Sequence, residues 1–145
     1  MPRDLPAVET ARRIKDQGGI VSIPHPFDRF RRSVIRPSAL LEILPLADIV
    51  EVFNARNVFD RDNQRARDLA DQHNLLATAV SDSHTPWEPG NTYVEMPEFD
   101  GTPEDFKRAL AEGRVVGRRM SPLIHVLTTL TKLRKRLVGT GPPSG

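Results

Sequence analysis

Apolar and polar residues alternate along the chain in blocks that predict helices and short strands in turn. Ala7, Ala11 and Ile14 share one stripe of a helix predicted over residues 6–17. The other predicted helices cover residues 39–46, 60–73 and 103–112 and a last one from Pro122, and the predicted strands cover residues 19–24, 47–53, 75–81, 92–96 and 115–119. Because short apolar strands alternate with helices, the pattern predicts an α/β fold with mostly parallel strands.

Three of these helices carry recognisable start signals. Ser38 is predicted to cap the second helix, and Ser121 is predicted to cap the last one. Thr102 has the side chain of an N-cap, and Pro103 after it suits the first helical turn. These signals mark the expected starts of three of the predicted helices.

Composition narrows the class of protein. The 145 residues fit one domain, and 38% hydrophobic with 28% charged residues is ordinary for a globular protein. No apolar run approaches the roughly 18 residues that span a bilayer, and no signal-peptide segment follows Met1. Cys is absent, which excludes disulfides and thiolate metal sites. We therefore expect a cytoplasmic protein that does not contact a membrane.

Polar side chains follow three successive predicted strands. His25 follows the first, Asn54 and Arg56 follow the second, and Asp82 and His84 follow the third. The carboxyl ends of parallel strands lie at one edge of a sheet, so these side chains are expected to converge. In extended backbone Asp82 and His84 would point the same way. A carboxylate with two imidazoles suits a divalent cation such as Mn²⁺, Zn²⁺ or Fe²⁺.

Each of these signals also has a structural interpretation. Asp82 and His84 also fit a loop cap or a surface pair, and His25 before Pro26 also fits extended backbone. Asn54 also fits a turn. Arg56 could bind a phosphate or remain on the surface.

The pattern also permits interpretations of three other positions. Glu51, inside an apolar strand, could pair with a base, support a ligand histidine or lie on an exposed face. Trp87 is expected to pack the loop after His84. His125 is expected to pack or to lie on the surface.

Several segments together resemble the PHP family of metal-dependent phosphoesterases, named for polymerase and histidinol phosphatase members. They are IPHPF at 23–27, IVEVFNAR at 49–56, SDSH at 81–84 and EFDGTPEDFKRALAEGRVVGRRMSPLIH at 98–125. The last segment resembles the PHP-associated C-terminal region. The resemblance implies that residues 1–138 are the C-terminal part of a PHP domain, with the PHP-associated region at about 85–138 and a disordered tail at 139–145.

The resemblance implies a fold and an activity. The fold would be part of a distorted (β/α)7 TIM-like barrel, and the activity would be hydrolysis of phosphate esters by metal-activated water. His25, Asp82 and His84 correspond to metal ligands, and Mn, Zn or Fe would be the metal. Asn54 and Arg56 are placed near the substrate, which would be a phosphorylated small molecule or a nucleotide.

The chain departs from the family pattern at its N-terminal side. The family has an HxH motif and further ligands before the HP motif, and no histidine precedes His25 here. The chain is therefore expected to be a truncated enzyme that is inactive alone. The alternative is a non-catalytic PHP-like domain that binds a ligand or partner. A third hypothesis is nucleic-acid binding through Arg29, Arg31, Arg32 and the basic run at 132–137, which otherwise fits a solvated helix face.

Overall fold

The computed structural model describes residues 5–28, 34–57 and 59–117. Its helices are α1 (Ala7–Asp16), α2 (Pro37–Ile43), α3 (Asp60–His73) and α4 (Pro103–Ala111), and a 3₁₀ turn follows α2 at Leu44–Leu46. Its strands are β1 (Ser22–Ile23), β2 (Ile49–Asn54), β3 (Leu76–Val80), β4 (Thr92–Glu95) and β5 (Arg114–Gly117). Each lies within a few residues of the prediction, and α3 has the predicted bounds.

A parallel three-stranded sheet forms the centre of the fold. Its order is β1-β2-β3, so the strands are adjacent in the order in which the chain makes them. β2 lies in the middle and is almost wholly buried, with Val50 and Val52 in the core between the helices. This burial on both faces explains the continuous apolar run of β2, which is typical of parallel sheets covered by helices. α3 makes the crossover from β2 to β3.

A second, two-stranded sheet follows β3. β4 and β5 pair in antiparallel fashion, so the predicted "mostly parallel" pattern holds only for the first three strands. Ser81 joins the two sheets, because its hydroxyl donates to the Thr92 carbonyl and accepts from the Thr92 N–H, both at 3.0 Å. Gly117 is needed beside Thr92, since a Cβ there would lie 2.8 Å from the Thr92 hydroxyl.

The structure corrects one predicted helix start and confirms another. Arg36, not Ser38, precedes α2, and Ser38 lies inside its first turn. The reason is Pro37, which keeps the preceding residue extended and itself suits the first helical position. At α4 the Thr102 hydroxyl accepts a hydrogen bond from the Asp105 N–H at 3.3 Å, as an N-cap does.

The fold class is confirmed as mixed α/β, whereas the predicted barrel is not visible in the described part of the chain. The predicted last helix with Ser121, His125 and the basic run at 132–137 lies outside the described residues, as do Arg29, Arg31 and Arg32. Within the described ranges, none of the helices has the length and apolar content of a membrane-spanning segment.

An ion-pair cluster holds the opposite end of the sheet from the polar strand ends. Asp48, directly before β2, accepts hydrogen bonds from the Lys15 ammonium at 2.6 Å and from the Val21 N–H at 2.8 Å. The Lys107 ammonium lies 3.9 Å away. Burial raises the pKa of Asp48, but these hydrogen bonds and charges outweigh it, so the pKa lies below its ordinary value.

We expect Asp48→Asn to lower the free energy of unfolding at pH 7 by about 1.5–3 kcal/mol, because it removes hydrogen bonds to a charged group. The folded pKa is lowered, so this stabilisation is present above the unfolded pKa of about 3.9 and is lost as the pH falls through the folded pKa. Urea unfolding at pH 7 and at pH 3 should therefore show a smaller difference at the lower pH. Asp71→Asn, on the exposed side of α3, is the control. An equal difference at both pH values would contradict the assignment.

Candidate functional site

The carboxyl ends of β2 and β3 are joined by polar side chains. Asn54, the last residue of β2, donates hydrogen bonds from Nδ2 to Glu51 Oε1 at 2.7 Å and to Asp82 Oδ2 at 3.0 Å. Its Oδ1 accepts from the Arg56 N–H at 2.9 Å. Asn54 is 1% exposed and Glu51 7%. Since an amide has two N–H groups, both donors serve carboxylates, and Asp82 is fixed against the end of β2.

The first turn of α3 is hydrogen-bonded to the same end of β2. The Asn63 side chain accepts hydrogen bonds at Oδ1 from the Asn54 N–H at 3.1 Å and from Asn57 Nδ2 at 2.6 Å. All three asparagines are buried. Buried polar groups of this kind are tolerated because they are hydrogen-bonded to one another. The backbone that presents Asn54 is therefore held from both the strand and the helix.

Asp82 and His84 lie close together, but not for the predicted reason. β3 ends at Val80, and Asp82 has a φ of 50°, in the left-handed region. The two residues therefore do not share a face of extended backbone, and that part of the prediction was wrong. A tight turn instead places His84 Nδ1 3.9 Å from Asp82 Oδ1.

The turn also orients the His84 ring. Its Nδ1 lies 2.8 Å from the carbonyl oxygen of Asp82. A carbonyl oxygen only accepts hydrogen bonds, so this contact assigns the proton of a neutral ring to Nδ1 and leaves the lone pair on Nε2. The side chain is about one-third exposed, at 34%. Histidines that bind metals are commonly held this way, with the other ring nitrogen donating to a carbonyl.

Glu88 fastens the loop that carries His84. It is fully buried, and its Oε2 accepts hydrogen bonds from the backbone N–H groups of His84 and Thr85, each at 2.6 Å, and from the Thr85 hydroxyl at 2.9 Å. Its Oε1 pairs with Arg56 Nη1 at 2.5 Å. Burial raises the pKa of Glu88, but these hydrogen bonds and the Arg56 charge lower it below the ordinary value. The carboxylate thus ties the loop after β3 to the exit of β2.

Arg56 and Asn54 were predicted to lie near substrate, and no observation tests that role. In the structure Arg56 is 3% exposed and paired with Glu88, and Asn54 is hydrogen-bonded on every side. Both residues therefore hold the loops of the site in place. Of the alternatives for Glu51, the exposed face is wrong, since Glu51 is buried and supports Asn54. Trp87 does not pack the loop as predicted, because it is 80% exposed.

His25 lies beyond the carboxyl end of β1, at the predicted edge of the sheet. Its φ is 26°, and its Nδ1 is buried without a hydrogen-bond partner among the described residues. β2 lies between β1 and β3, so His25 and Asp82 follow strands that are not neighbours in the sheet. The ligand role of His25 stays a prediction.

The chemistry of the residues fits part of a site for a divalent cation. Asp82 offers a carboxylate, His84 offers Nε2, and His25 has a buried nitrogen that nothing in the described chain uses. The described residues contain no group of three His, Asp or Glu side chains close enough to hold a metal ion. They therefore supply a pair of neighbouring donors and not a complete coordination shell.

Sequence reasoning missed Glu88 and Asn63, the two residues that fix the site from outside. A signal for Glu88 existed, because an acidic residue four positions after His84 can reach back to the free N–H groups of the turn. Asn63 gave no such signal, since it sits in a polar stretch of α3 where any position could face solvent. Only the packing of α3 against β2 distinguishes it.

The fold and the site define an α/β protein with a carboxylate and an imidazole at the carboxyl edge of a parallel sheet. Residues 60–115 match the family model described as PHP-associated. This match supports the predicted resemblance to the C-terminal region of the PHP family. The match begins earlier than the predicted range of about 85–138, and the domain boundaries stay a prediction.

The curated relative that this chain matches is longer than the chain. The uncharacterized protein MJ0417 of Methanocaldococcus jannaschii is 32% identical over 119 residues, which cover 76% of this chain and 50% of that protein. The chain thus spans half the length of the curated relative that it matches.

Two crystal structures share the fold. PsfC from Pseudomonas syringae has a TM-score of 0.63 at 18% identity, and the match covers 92% of this chain and 54% of PsfC. A protein from Bifidobacterium adolescentis, named as a candidate metal-dependent phosphoesterase, has a TM-score of 0.51 at 22% identity, covering 79% of this chain and 39% of that one. At these identities the similarity concerns the fold.

Proposed function

We propose that the chain is the C-terminal portion of a metal-dependent phosphoesterase of the PHP family. The observation that carries the proposal is the Asp82 carboxylate, fixed by Asn54 at 3.0 Å, beside a His84 ring whose Nδ1 contact leaves the lone pair on Nε2. This pair lies at the carboxyl edge of the sheet, where α/β proteins build their sites. The PHP-associated match and the named phosphoesterase neighbour support the same class.

Asp82 and His84 would hold a divalent cation in this proposal, with His25 as a third ligand. Mn²⁺, Zn²⁺ and Fe²⁺ all accept such mixed oxygen and nitrogen donors. A divalent cation, when bound, would neutralise charge on the phosphoryl oxygens and activate water. Asn54 holds the Asp82 carboxylate in place beforehand, and Glu88 holds the His84 backbone. Such preorganisation lowers the cost of rearranging the site during reaction.

The remaining ligands would come from another part of a longer protein. The chain spans half of its curated relative, and its parallel sheet has three described strands. We propose that the missing strands complete a distorted seven-stranded β/α barrel and bring further histidines to the same edge. The substrate would be a phosphorylated small molecule or a nucleotide.

Metal removal tests the proposed activity. We expect the full-length protein to hydrolyse p-nitrophenyl phosphate, to lose that activity on dialysis against EDTA, and to regain it with Mn²⁺, Zn²⁺ or Fe²⁺. His84→Ala should remain inactive after metal is returned, whereas His73→Ala, an exposed histidine at the far end of α3, should behave as wild type. Activity that survives chelation in a metal-free sample would contradict the proposal.

The second candidate function is that of a non-catalytic PHP-like domain that binds a ligand or partner. The observation in favour is that the described residues do not assemble three metal ligands. The two functions separate in one preparation of the full-length protein, because a binding domain would show no hydrolysis of any phosphate ester with any of the three metals. Phosphate-ester hydrolysis that depends on added metal would exclude the binding domain.

A further inference from the structure

The turn after His84 presents the single tryptophan of the chain to solvent. Trp87 is 80% exposed, the most exposed of the large hydrophobic side chains in the described residues. Burying a tryptophan is strongly favourable, and exposed ones are enriched where a protein binds something. Trp87 lies three residues beyond His84, so its Cα is at most about 11 Å from that of His84.

The turn that carries Trp87 is held at both ends. The Glu88 N–H donates to the Thr85 carbonyl at 3.3 Å, which closes a turn with Trp87 in its third position. The buried Glu88 carboxylate binds the Thr85 N–H and hydroxyl, and Asn91 Nδ2 donates to the Trp87 carbonyl at 3.0 Å. An aromatic ring on a fixed backbone loses little conformational entropy when it binds a ligand.

The surroundings of Trp87 favour a small ligand over a protein partner. Its neighbours in the loop are exposed but small or polar, namely Ser83, His84, Pro86, Pro89 and Gly90. A stable protein interface needs roughly 800 Å² on each side with an apolar centre, and one tryptophan among such residues does not provide it. A planar ring that stacks on one indole face needs only that face.

We infer that Trp87 forms a stacking subsite for a planar ring, such as a nucleobase, carried by the phosphorylated substrate. The inference rests on the proposed function, because the phosphate would lie at Asp82 and His84 while the ring lies on Trp87. A ribose between the phosphate and the ring would bridge the short distance from His84 to Trp87, which two residues separate. Trp87 would then select for the ring and leave the chemistry at the phosphate unchanged.

The test compares two phosphate esters of ribose, one with a nucleobase and one without. In the full-length protein, Trp87→Ala should raise KM for adenosine 5′-monophosphate about tenfold and leave kcat and the KM for ribose 5-phosphate unchanged. Trp87→Phe keeps a ring and should restore most of the affinity. Pro89→Ala, in the same exposed loop, is the matched control.

Tryptophan fluorescence gives a readout that does not require turnover. With EDTA present, adenosine 5′-monophosphate should quench the emission that is lost in Trp87→Phe, and ribose 5-phosphate should not. Equal changes in KM for both esters in Trp87→Ala, or no quenching, would overturn the subsite even if the protein is a metal-dependent phosphatase. Quenching without hydrolysis would support the subsite and count against the enzyme.

Discussion

Asp82→Ala is expected to reduce kcat/KM for phosphate-ester hydrolysis at least about a hundredfold, since even groups that only orient metal ligands contribute 10- to 100-fold. Asp82 is the carboxylate of the proposed cation site, and Asn54 Nδ2 donates a hydrogen bond to it at 3.0 Å. The measurement is the rate with saturating Mn²⁺ or Zn²⁺, alongside thermal unfolding followed by circular dichroism.

The control for Asp82→Ala is Asp71→Ala, which makes the same chemical change on the exposed side of α3. Asp71→Ala should retain the wild-type rate. The account requires that Asp82→Ala loses activity while it stays folded under assay conditions. Wild-type activity in Asp82→Ala would remove the proposed role of this carboxylate.

Glu88→Ala is expected to lower the free energy of unfolding by about 3–5 kcal/mol, because it removes one member of a buried ion pair. Arg56 is 3% exposed and Glu88 fully buried, so the pair lies away from solvent. The same change frees the N–H groups of His84 and Thr85 from their acceptor. Urea unfolding at neutral pH measures the loss.

Two further variants accompany this measurement. One is a control at an exposed ion pair, and the other removes both charges of the Arg56–Glu88 pair. Glu112→Ala, at an exposed pair with Arg108, should cost less than about 0.5 kcal/mol. Arg56→Met combined with Glu88→Ala should recover part of the lost stability, because it also removes the buried charge that Glu88 balances. If Glu88→Ala lowers the free energy of unfolding no more than Glu112→Ala does, Glu88 does not hold the loop that carries His84.

The sequence was sufficient for the elements whose physical cause is local. α3 was predicted with its observed bounds, because a charged stretch with one alanine and leucine stripe ends at Asn74, which adopts the left-handed C-cap conformation. β2 was predicted from its apolar run. The resemblance to the PHP family rested on short motifs and was confirmed by the match at residues 60–115.

What depends on long-range packing could not be predicted. The bond from Asn54 to Asp82 joins residues 28 positions apart, and the pair of Arg56 with Glu88 joins residues 32 apart. Asp82 has a left-handed backbone conformation in place of the expected extended one, and the residues after it are hydrogen-bonded to Glu88. The exposure of Trp87 was not predicted either, since composition favours burial of tryptophan.

The central claim is that Asp82 and His84 bind one divalent cation at the carboxyl edge of the sheet. The most direct test is a crystal structure of the full-length protein with Zn²⁺, using anomalous scattering at the zinc edge to locate the ion. The account predicts a peak about 2.0–2.2 Å from an Asp82 carboxylate oxygen and from His84 Nε2. Zinc bound elsewhere, with Asp82 and His84 both outside its coordination shell, would contradict it.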